Sequence, residues 1–283
     1  GRATARIRLQ AFPLHTLREI LLDYNPSYKP EDLLAFYMLT GGVAKYVEQI
    51  ITQKAFTKDS ILKSVLSFGS YFIEEGKELL SDEFGKDYGN YFSIMSAIAS
   101  GYNERGAIKS YTGIEAGGYL EKLENTYDLI YRYRPYLATE RSQNVKYGIK
   151  DNFLTFWFRF IYKYRSAVEI GNLGYVYDKV RADYETYSGW ILERYFRQQY
   201  RETGRYNIVT NYWEKNGHNE IDLIAVNEAD KEIVIGEIKR NAKRIDLRSL
   251  REKSSAITAK HKKGWQFHYI GLSMNDLKYE DAD

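Results

Sequence analysis

In the first third of the chain, hydrophobic and polar positions repeat with the period of an α-helix. Between residues 30 and 81, apolar side chains recur three or four positions apart, which predicts successive amphipathic helices. The triplet Thr40-Gly41-Gly42 interrupts this pattern, and such a turn lets one helix end and another start close by. We therefore expect a helical N-terminal region with short connections.

A second group of predicted elements begins near Gly85. Helical periodicity covers residues 88–100, 106–111 and 114–125. Residues 129–134 and 146–149 then alternate like two strands joined by a polar loop. Three helices followed by a hairpin is the arrangement of a winged helix, a variant of the helix-turn-helix.

The C-terminal part alternates between helical and strand-like patterns. An aromatic helix is predicted at 153–164, and Gly171 and Gly174 mark a linker-like break after it. The remaining predicted elements are a helix at 183–200, a strand at 206–213, hairpin strands at 219–226 and 232–239, a helix at 246–262 and a strand at 265–272. The order is αβββαβ, and the apolar character of both hairpin faces indicates a sheet covered on both sides.

These patterns predict an α+β, multidomain protein of 283 residues. We place a helical region at 1–82, a winged-helix domain with the following aromatic helix at 83–168, and the αβββαβ domain at 169–283.

Composition narrows the functional classes only slightly. The chain has 41 Lys+Arg against 38 Asp+Glu, so a nucleic-acid partner has to be argued from local patches rather than from net charge. Without cysteine there are no disulfides and no cysteine-based zinc sites, and the histidines (His15, His218, His261 and His268) lack ligand spacing. We find no apolar run of membrane-span length and no signal peptide, and we expect a soluble, cytoplasmic protein. The 27 tyrosines are assigned to packing, with no function.

Two acids and a lysine stand out on the predicted hairpin. Glu237 and Lys239 share a face of the second strand because they are two residues apart. With a turn at 228–231, Asp222 lies opposite Glu237, and Glu220 lies opposite Lys239. Two neighbouring carboxylates can hold Mg²⁺ or Mn²⁺, and a lysine beside them can orient or deprotonate the attacking water. In the structural alternative, Glu220 and Lys239 form a cross-strand ion pair, and Asp222 and Glu237 are merely solvated.

With these residues on the second and third strands, the order αβββαβ resembles the PD-(D/E)xK, restriction-endonuclease-like nuclease superfamily. In that superfamily the preceding helix often supplies another acid, and Glu193 stands at that position. The resemblance implies that Asp222 and Glu237 are metal ligands and that Lys239 positions water. It also implies that Glu193 is a ligand or base, and that all four residues are catalytic.

Basic residues follow the hairpin and also occupy the predicted wing. Arg240, Lys243 and Arg244, together with Arg132 and Arg134, are candidate contacts to DNA phosphates, although a solvated surface is the alternative. The third helix of the winged-helix unit is acidic, so base-specific recognition by that helix is not expected and any DNA binding should be sequence-nonspecific. A protein-interaction role for this unit is the competing interpretation.

The N-terminal segment 1–12 and the stretch 40–48, Thr-Gly-Gly-Val-Ala-Lys-Tyr-Val-Glu, carry a second resemblance. They resemble the end of the nucleotide-binding core and the helical lid of archaeal-type, AAA-related ATPases, with Ala44 where that family commonly has proline. The resemblance implies that residues 1–82 are a lid and core remnant, and that the ATPase core itself is missing. No Gly-x-x-x-x-Gly-Lys-Ser/Thr motif occurs, so we expect ATP to bind only the longer parent protein.

Together these patterns predict the C-terminal portion of an ATPase that carries a Mg²⁺-dependent DNA nuclease or a nuclease-derived DNA-binding domain. The alternative is a non-catalytic regulatory or protein-interaction module with a vestigial acidic site. A homo-oligomer or a protein partner is compatible with both hypotheses.

Overall fold

The computed structural model describes residues 10–85, 88–215, 219–261 and 263–277. The segment 1–9 of the ATPase resemblance, His218, and Lys262 at the end of a predicted helix lie outside these residues. The described chain is α+β, with a helical N-terminal region followed by a small mixed sheet with helices.

The N-terminal helices pack around α2, whose residues 32–40 are all buried. As predicted, α2 ends at Gly41 and Gly42, whose φ values of 53° and 83° lie in the left-handed region that glycine adopts at little cost. The helices of this region are α1 (Leu14–Tyr24), α2 (Pro30–Thr40), α3 (Ala44–Thr52), α4 (Lys58–Val65) and α5 (Tyr71–Phe84).

The next elements follow the predicted order of helices and a hairpin. Strands β1 and β2 are antiparallel, and Ile130 pairs with Ile149 at the buried end of the hairpin. These elements are α6 (Tyr88–Ala99), α7 (Arg105–Thr112), α8 (Gly117–Asn125), β1 (Ile130–Tyr133) and β2 (Lys146–Ile149).

Helix α11 (Leu173–Glu202) packs against both the N-terminal helices and the C-terminal sheet. The predicted break is present at Gly171, whose φ is 73°, but Gly174 lies inside the helix. Asn172 caps this helix of 30 residues by accepting the Tyr175 N–H at 3.2 Å. At 1.5 Å per residue, α11 is about 45 Å long. It contacts α2 at one level and the strands of the C-terminal sheet at another, and this burial outweighs the cost of about 1 kcal/mol for a helical glycine.

The predicted aromatic helix is also irregular. It divides into α9 (Asn152–Phe156) and a π-helical segment (Trp157–Tyr162), which are followed by α10 (Arg165–Glu169). Arg159 in the π-helical segment is buried, and its Nε donates to Asp183 of α11 at 2.6 Å. The aromatic segment is therefore tied to α11 by a charged contact as well as by ring packing.

The C-terminal sheet has the strand order β3-β4-β5-β6. Neighbouring strands are antiparallel except for the parallel pair β5 and β6. Ser254 divides the predicted helix 246–262 into two. The elements are β3 (Ile208–Trp213), β4 (Glu220–Asn227), β5 (Glu232–Lys239), α12 (Leu247–Lys253), α13 (Ser255–Lys260) and β6 (Gln266–Ser273).

Both faces of the sheet are covered, as the apolar strands predicted. Leu223, Ala225 and Val234 belong to the core shared with α11 and the N-terminal helices. Ile224 and Ile233, on the opposite face, pack in a second cluster with residues of α12 and α13. The sheet is thus an internal layer, so a charged side chain within it needs a partner.

Candidate functional site

Strand pairing places the acids of β4 and β5 side by side. The predicted register of the β4–β5 hairpin is observed from the pair Asn227–Glu232 to the pair Leu223–Gly236. Asp222 and Glu237 are the next residues along the two strands. On the other side of β4 the register with β3 shifts, since Thr210 pairs with Ile224 but Tyr212 pairs with Ile221. Asp222 therefore lies in a β-bulge, which bends a strand and redirects side chains.

The carboxylates of Asp222 and Glu237 meet at the ammonium group of Lys239. Lys239 Nζ lies 3.1 Å from Asp222 Oδ2 and 3.6 Å from Glu237 Oε1. Main-chain donors hold the acids in place: Ile238 N–H donates to Asp222 Oδ2 at 2.8 Å, and Asp246 N–H donates to Glu237 Oε2 at 2.7 Å. The structure thus brings together three residues that the sequence analysis selected, and we call them the acidic site.

The two carboxylates of the acidic site are buried, Lys239 is 37% exposed, and the three side chains carry an excess of negative charge. Asp222 and Glu237 are only 9% and 8% exposed. Burial by itself would lower the pKa of Lys239, but the charges of Asp222 and then Glu237 raise it above its usual value. Lys239 is therefore held as a cation, and one positive charge faces two carboxylates.

Glu193 lies on α11 and is connected to the acidic site through Arg197. Its side chain pairs with Arg197 at 3.3 Å, and Arg197 also donates to the main-chain oxygen of Asp222 at 2.7 Å. Burial raises the pKa of Glu193 to about 7; the Arg197 charge opposes this rise and the Asp222 charge reinforces it. Glu193 is thus electrostatically coupled to the acidic site through Arg197 and Asp222.

The alternative cross-strand pair between Glu220 and Lys239 does not form. Glu220 instead lies 3.7 Å from Lys146 of β2, while Lys239 turns to Asp222 and Glu237. The reason is burial, because Lys239 lies between two enclosed carboxylates whereas Glu220 is exposed at the start of β4.

The donor set fits a divalent cation with two protein carboxylates. No group of three His, Cys, Asp or Glu side chains suited to a metal ion was found in the described parts of the chain. Within the described residues, one oxygen of each acid (Asp222 Oδ1 and Glu237 Oε1) accepts no main-chain hydrogen bond, and Glu237 Oε1 faces Lys239 Nζ at 3.6 Å. Mg²⁺ commonly uses one or two carboxylates and keeps several waters, so two such oxygens meet its minimum requirement.

Arg240 differs from the other predicted phosphate contacts because its guanidinium turns inward. It pairs with Glu31 at the start of α2 and donates to the Ser188 hydroxyl of α11 at 2.7 Å. Its side chain is 20% exposed. Arg240 thus links the sheet to the N-terminal helices.

Lys243 and Arg244 are exposed between β5 and α12, next to the acidic site in sequence. On the hairpin, Arg132 lies 3.5 Å from Glu124, and Arg134 donates to the Ser142 carbonyl at 3.3 Å. Arg132 and Arg134 line a surface cavity of about 370 Å³ together with Arg105 and Arg141. The predicted basic residues therefore form two separate surface groups, and Arg240 belongs to neither.

Sequence analysis missed Arg197 and the main-chain donors of Ile238 and Asp246. Arg197 follows Glu193 by one helical turn, a spacing that could have indicated an ion pair on one helix face. Its bond to the Asp222 carbonyl had no sequence signal, because it depends on the packing of α11 against β4.

The acidic site lies within a segment that matches a known family. Residues 157–255 match the DUF234 family model, described as archaeal and bacterial proteins of unknown function. An uncharacterized protein of Methanocaldococcus jannaschii is 29% identical over 274 residues, which cover 91% of this chain and 59% of the relative. This chain thus spans about three fifths of that relative. No solved structure matches the chain.

None of the helices in the described ranges has both the length and the apolar character needed to cross a membrane.

Proposed function

We propose that this chain carries a divalent-cation-dependent phosphodiesterase site that cleaves DNA without base specificity. The observation that carries the proposal is the contact of one lysine with two buried carboxylates from neighbouring strands. Two such acids beside one cation leave a net negative charge in a poorly solvated place, and a bound cation would neutralise it. The αβββαβ order of the PD-(D/E)xK nucleases supports the same proposal.

Asp222 and Glu237 would hold Mg²⁺ or Mn²⁺, which when bound would polarise the phosphate and lower the pKa of a water. The main-chain donors of Ile238 and Asp246 keep the two carboxylates in place before substrate arrives, so little reorganisation is needed. Lys239 is placed to stabilise the negative charge that develops on phosphate oxygens. The water oxygen bonds to phosphorus as one P–O ester bond breaks, and a proton released by the water ends on the leaving oxygen. The products are a phosphomonoester end and a hydroxyl end.

The surface groups fit a non-specific contact with DNA. Lys243 and Arg244 follow the acidic site directly and can neutralise phosphates near the scissile bond. Arg132 and Arg134 sit on the hairpin, which we interpret as the wing of a winged helix. Phosphate contacts of this kind fix the position of DNA but read no sequence.

Cation binding tests the proposal most directly. Titration calorimetry with Mn²⁺ should detect one site in the wild type, weakened about tenfold or more in Glu237→Gln, since that change removes a charged ligand but nearly preserves shape. Equal Mn²⁺ affinity in the two proteins would reject the acidic site as the cation site.

A regulatory, partner-binding module is the second candidate. Lys239 already compensates part of the acidic charge, and the described residues supply no third carboxylate or histidine ligand. A folded wild type that binds no Mn²⁺ and cleaves neither DNA nor RNA would favour this candidate.

We also propose, from the Thr40-Gly41-Gly42-Val43 stretch, that the chain is part of a longer archaeal-type ATPase. The phosphate-binding motif is missing from this sequence, so ATP would act only in the parent protein. Stoichiometric, micromolar binding of ATP by this chain would contradict the proposal.

A further inference from the structure

A cleft lies between the β1–β2 hairpin, helix α11 and the start of β4. Its volume is about 330 Å³, within the range of small-ligand pockets. The Arg194 side chain of α11 joins its two sides by donating to the main-chain carbonyls of Ile149 and Lys150 at the end of the hairpin. The cleft is lined by the side chains of Tyr131, Lys146, Trp190, Glu193, Arg197 and Glu220, among others.

Two aromatic rings line the cleft and remain partly open to solvent. Tyr131 is 39% exposed and Trp190 is 40% exposed. Each ring lies where a neighbouring glycine leaves room: a Cβ on Gly148 would come within 2.6 Å of the Tyr131 ring, and a Cβ on Gly101 within 2.8 Å of the Trp190 ring. The position of each aromatic ring in the cleft therefore requires glycine at the residue that the ring contacts.

Buried charges fix the position of Trp190 before any ligand binds. The Arg159 guanidinium lies 4.6 Å from the centre of the Trp190 ring, a cation–π contact. Arg159 is itself held by Asp183 at 2.6 Å and by the Ala99 carbonyl at 2.7 Å. A ring held in this way loses little conformational entropy when a planar group stacks on it.

The cleft is connected to the acidic site by Arg197, which lines the cleft and contacts Asp222. The contact is a hydrogen bond to the main chain of Asp222, and Glu193 also lines the cleft. Four of the charged groups in the cleft form two ion pairs, Lys146 with Glu220 and Arg197 with Glu193. A fifth, Arg194, is engaged by the two main-chain carbonyls of the hairpin. Charged groups that already have partners can still form hydrogen bonds with the polar edge of a neutral ring. A free phosphate would instead be repelled by the carboxylates.

We propose that this cleft holds one unpaired nucleotide of a DNA strand, with its base stacked on Trp190 or Tyr131 and its backbone continuing toward Asp222. The proposal rests on the proposed function and assigns its substrate class: DNA with at least one unpaired nucleotide rather than intact duplex. Aromatic stacking accepts every base, which agrees with cleavage that is indifferent to sequence. A base within a duplex cannot enter the cleft unless it leaves the stack.

Binding without metal tests the inference separately from cleavage. Fluorescence anisotropy in EDTA would compare a labelled duplex carrying a short single-stranded overhang with a blunt duplex of the same length. The wild type should prefer the overhang by about tenfold, and Tyr131→Ala combined with Trp190→Ala should abolish the preference. Tyr175→Ala is the matched control, because Tyr175 is on the same helix and 43% exposed but outside the cleft.

Milder variants protect the test against misfolding. Trp190→Leu keeps apolar volume but removes the stacking face, and Gly148→Ala displaces the Tyr131 ring without deleting it. Each should lower the preference while thermal melting stays close to that of the wild type. A preference unchanged in both folded variants, or absent from the wild type, overturns the inference.

Cleavage with Mn²⁺ keeps the two proposals apart. If the wild type prefers the overhang in EDTA but never cleaves, the cleft assignment stands and the phosphodiesterase proposal fails. If it cleaves blunt and overhanging DNA equally and binds them equally, the phosphodiesterase proposal stands and the cleft assignment fails.

Discussion

Two regions of this protein place a lysine on a buried carboxylate, but their charge balance differs. Between α3 and α5, Glu75 is 4% exposed and accepts from Lys45 Nζ at 3.1 Å and from the Tyr46 hydroxyl at 3.5 Å. In the acidic site, Lys239 serves both Asp222 and Glu237. Lys45 contacts one carboxylate, whereas Lys239 contacts two, so the direct contacts of the acidic site join two negative charges to one positive charge.

This difference separates a structural ion pair from a candidate ligand site. A pair of one lysine and one carboxylate needs only to offset the desolvation of its own charges, and the Tyr46 hydroxyl adds a hydrogen bond to Glu75. Two acids with a single cation gain stability from another cation. Residues of the same types thus serve packing in one region and are suited to binding in the other.

The largest expected effect comes from removing one acid in each region. Asp222→Asn should lower Mn²⁺-dependent DNA cleavage to about one hundredth of the wild-type rate or less, because a ligand and its charge are lost together. Glu75→Gln should cleave normally but melt at a lower temperature. Timed cleavage assays and circular-dichroism melting would measure both, and equal cleavage by Asp222→Asn and wild type would point to a contaminating nuclease.

Removing the lysines should sharpen the contrast. Lys239→Met and Lys45→Met should each destabilise the metal-free protein by about 1–3 kcal/mol, because each leaves a buried carboxylate short of a partner. Mn²⁺ should restore stability only in Lys239→Met, since a bound cation can replace the missing ammonium group there. Denaturant unfolding with and without Mn²⁺ measures this, and rescue of both variants would erase the distinction between the regions.

Glu193 gives a smaller, pH-dependent effect. Burial raises the pKa of Glu193 from 4.5 to about 7, so the folded state favours the protonated form more than the unfolded state does. The free energy of unfolding of the wild type should therefore fall relative to that of Glu193→Gln as pH rises from about 4.5 to about 7. Each unit of difference between the folded and unfolded pKa corresponds to about 1.4 kcal/mol. Urea titrations across pH 4–9 would test this, and a stability difference that does not change with pH would contradict it.

The smallest effect concerns the basic residues beside the acidic site. Lys243→Ala with Arg244→Ala should reduce the slope of log affinity against log salt by up to about two units, as fewer counterions are released from DNA. Arg240→Ala should instead lower thermal stability and change the slope little, because Arg240 binds Glu31 and Ser188 internally. A larger slope change for Arg240→Ala than for the double variant would reverse this assignment.

Local patterns were informative where neighbours in sequence decide the structure. The Gly41-Gly42 turn, the hairpin register and the αβββαβ order follow from glycine geometry, residue alternation and turn length. From these rules we predicted that Asp222 lies on one strand and that Glu237 and Lys239 lie on the adjacent strand, as observed. They failed at Gly174, where burial of α11 against two regions overrode the cost of a glycine in a helix.

The order of the elements and the residue types available to the acidic site can be recognised in the linear chain. The inward turn of Arg240, the pairing of Glu220 with Lys146 and the shared cleft of Tyr131 and Trp190 arise from the three-dimensional fold. Alternation and helical period depend on adjacent residues, so they can be recognised in a linear chain. Partners from distant elements are selected by packing and by competition for buried charge, which depend on the whole fold.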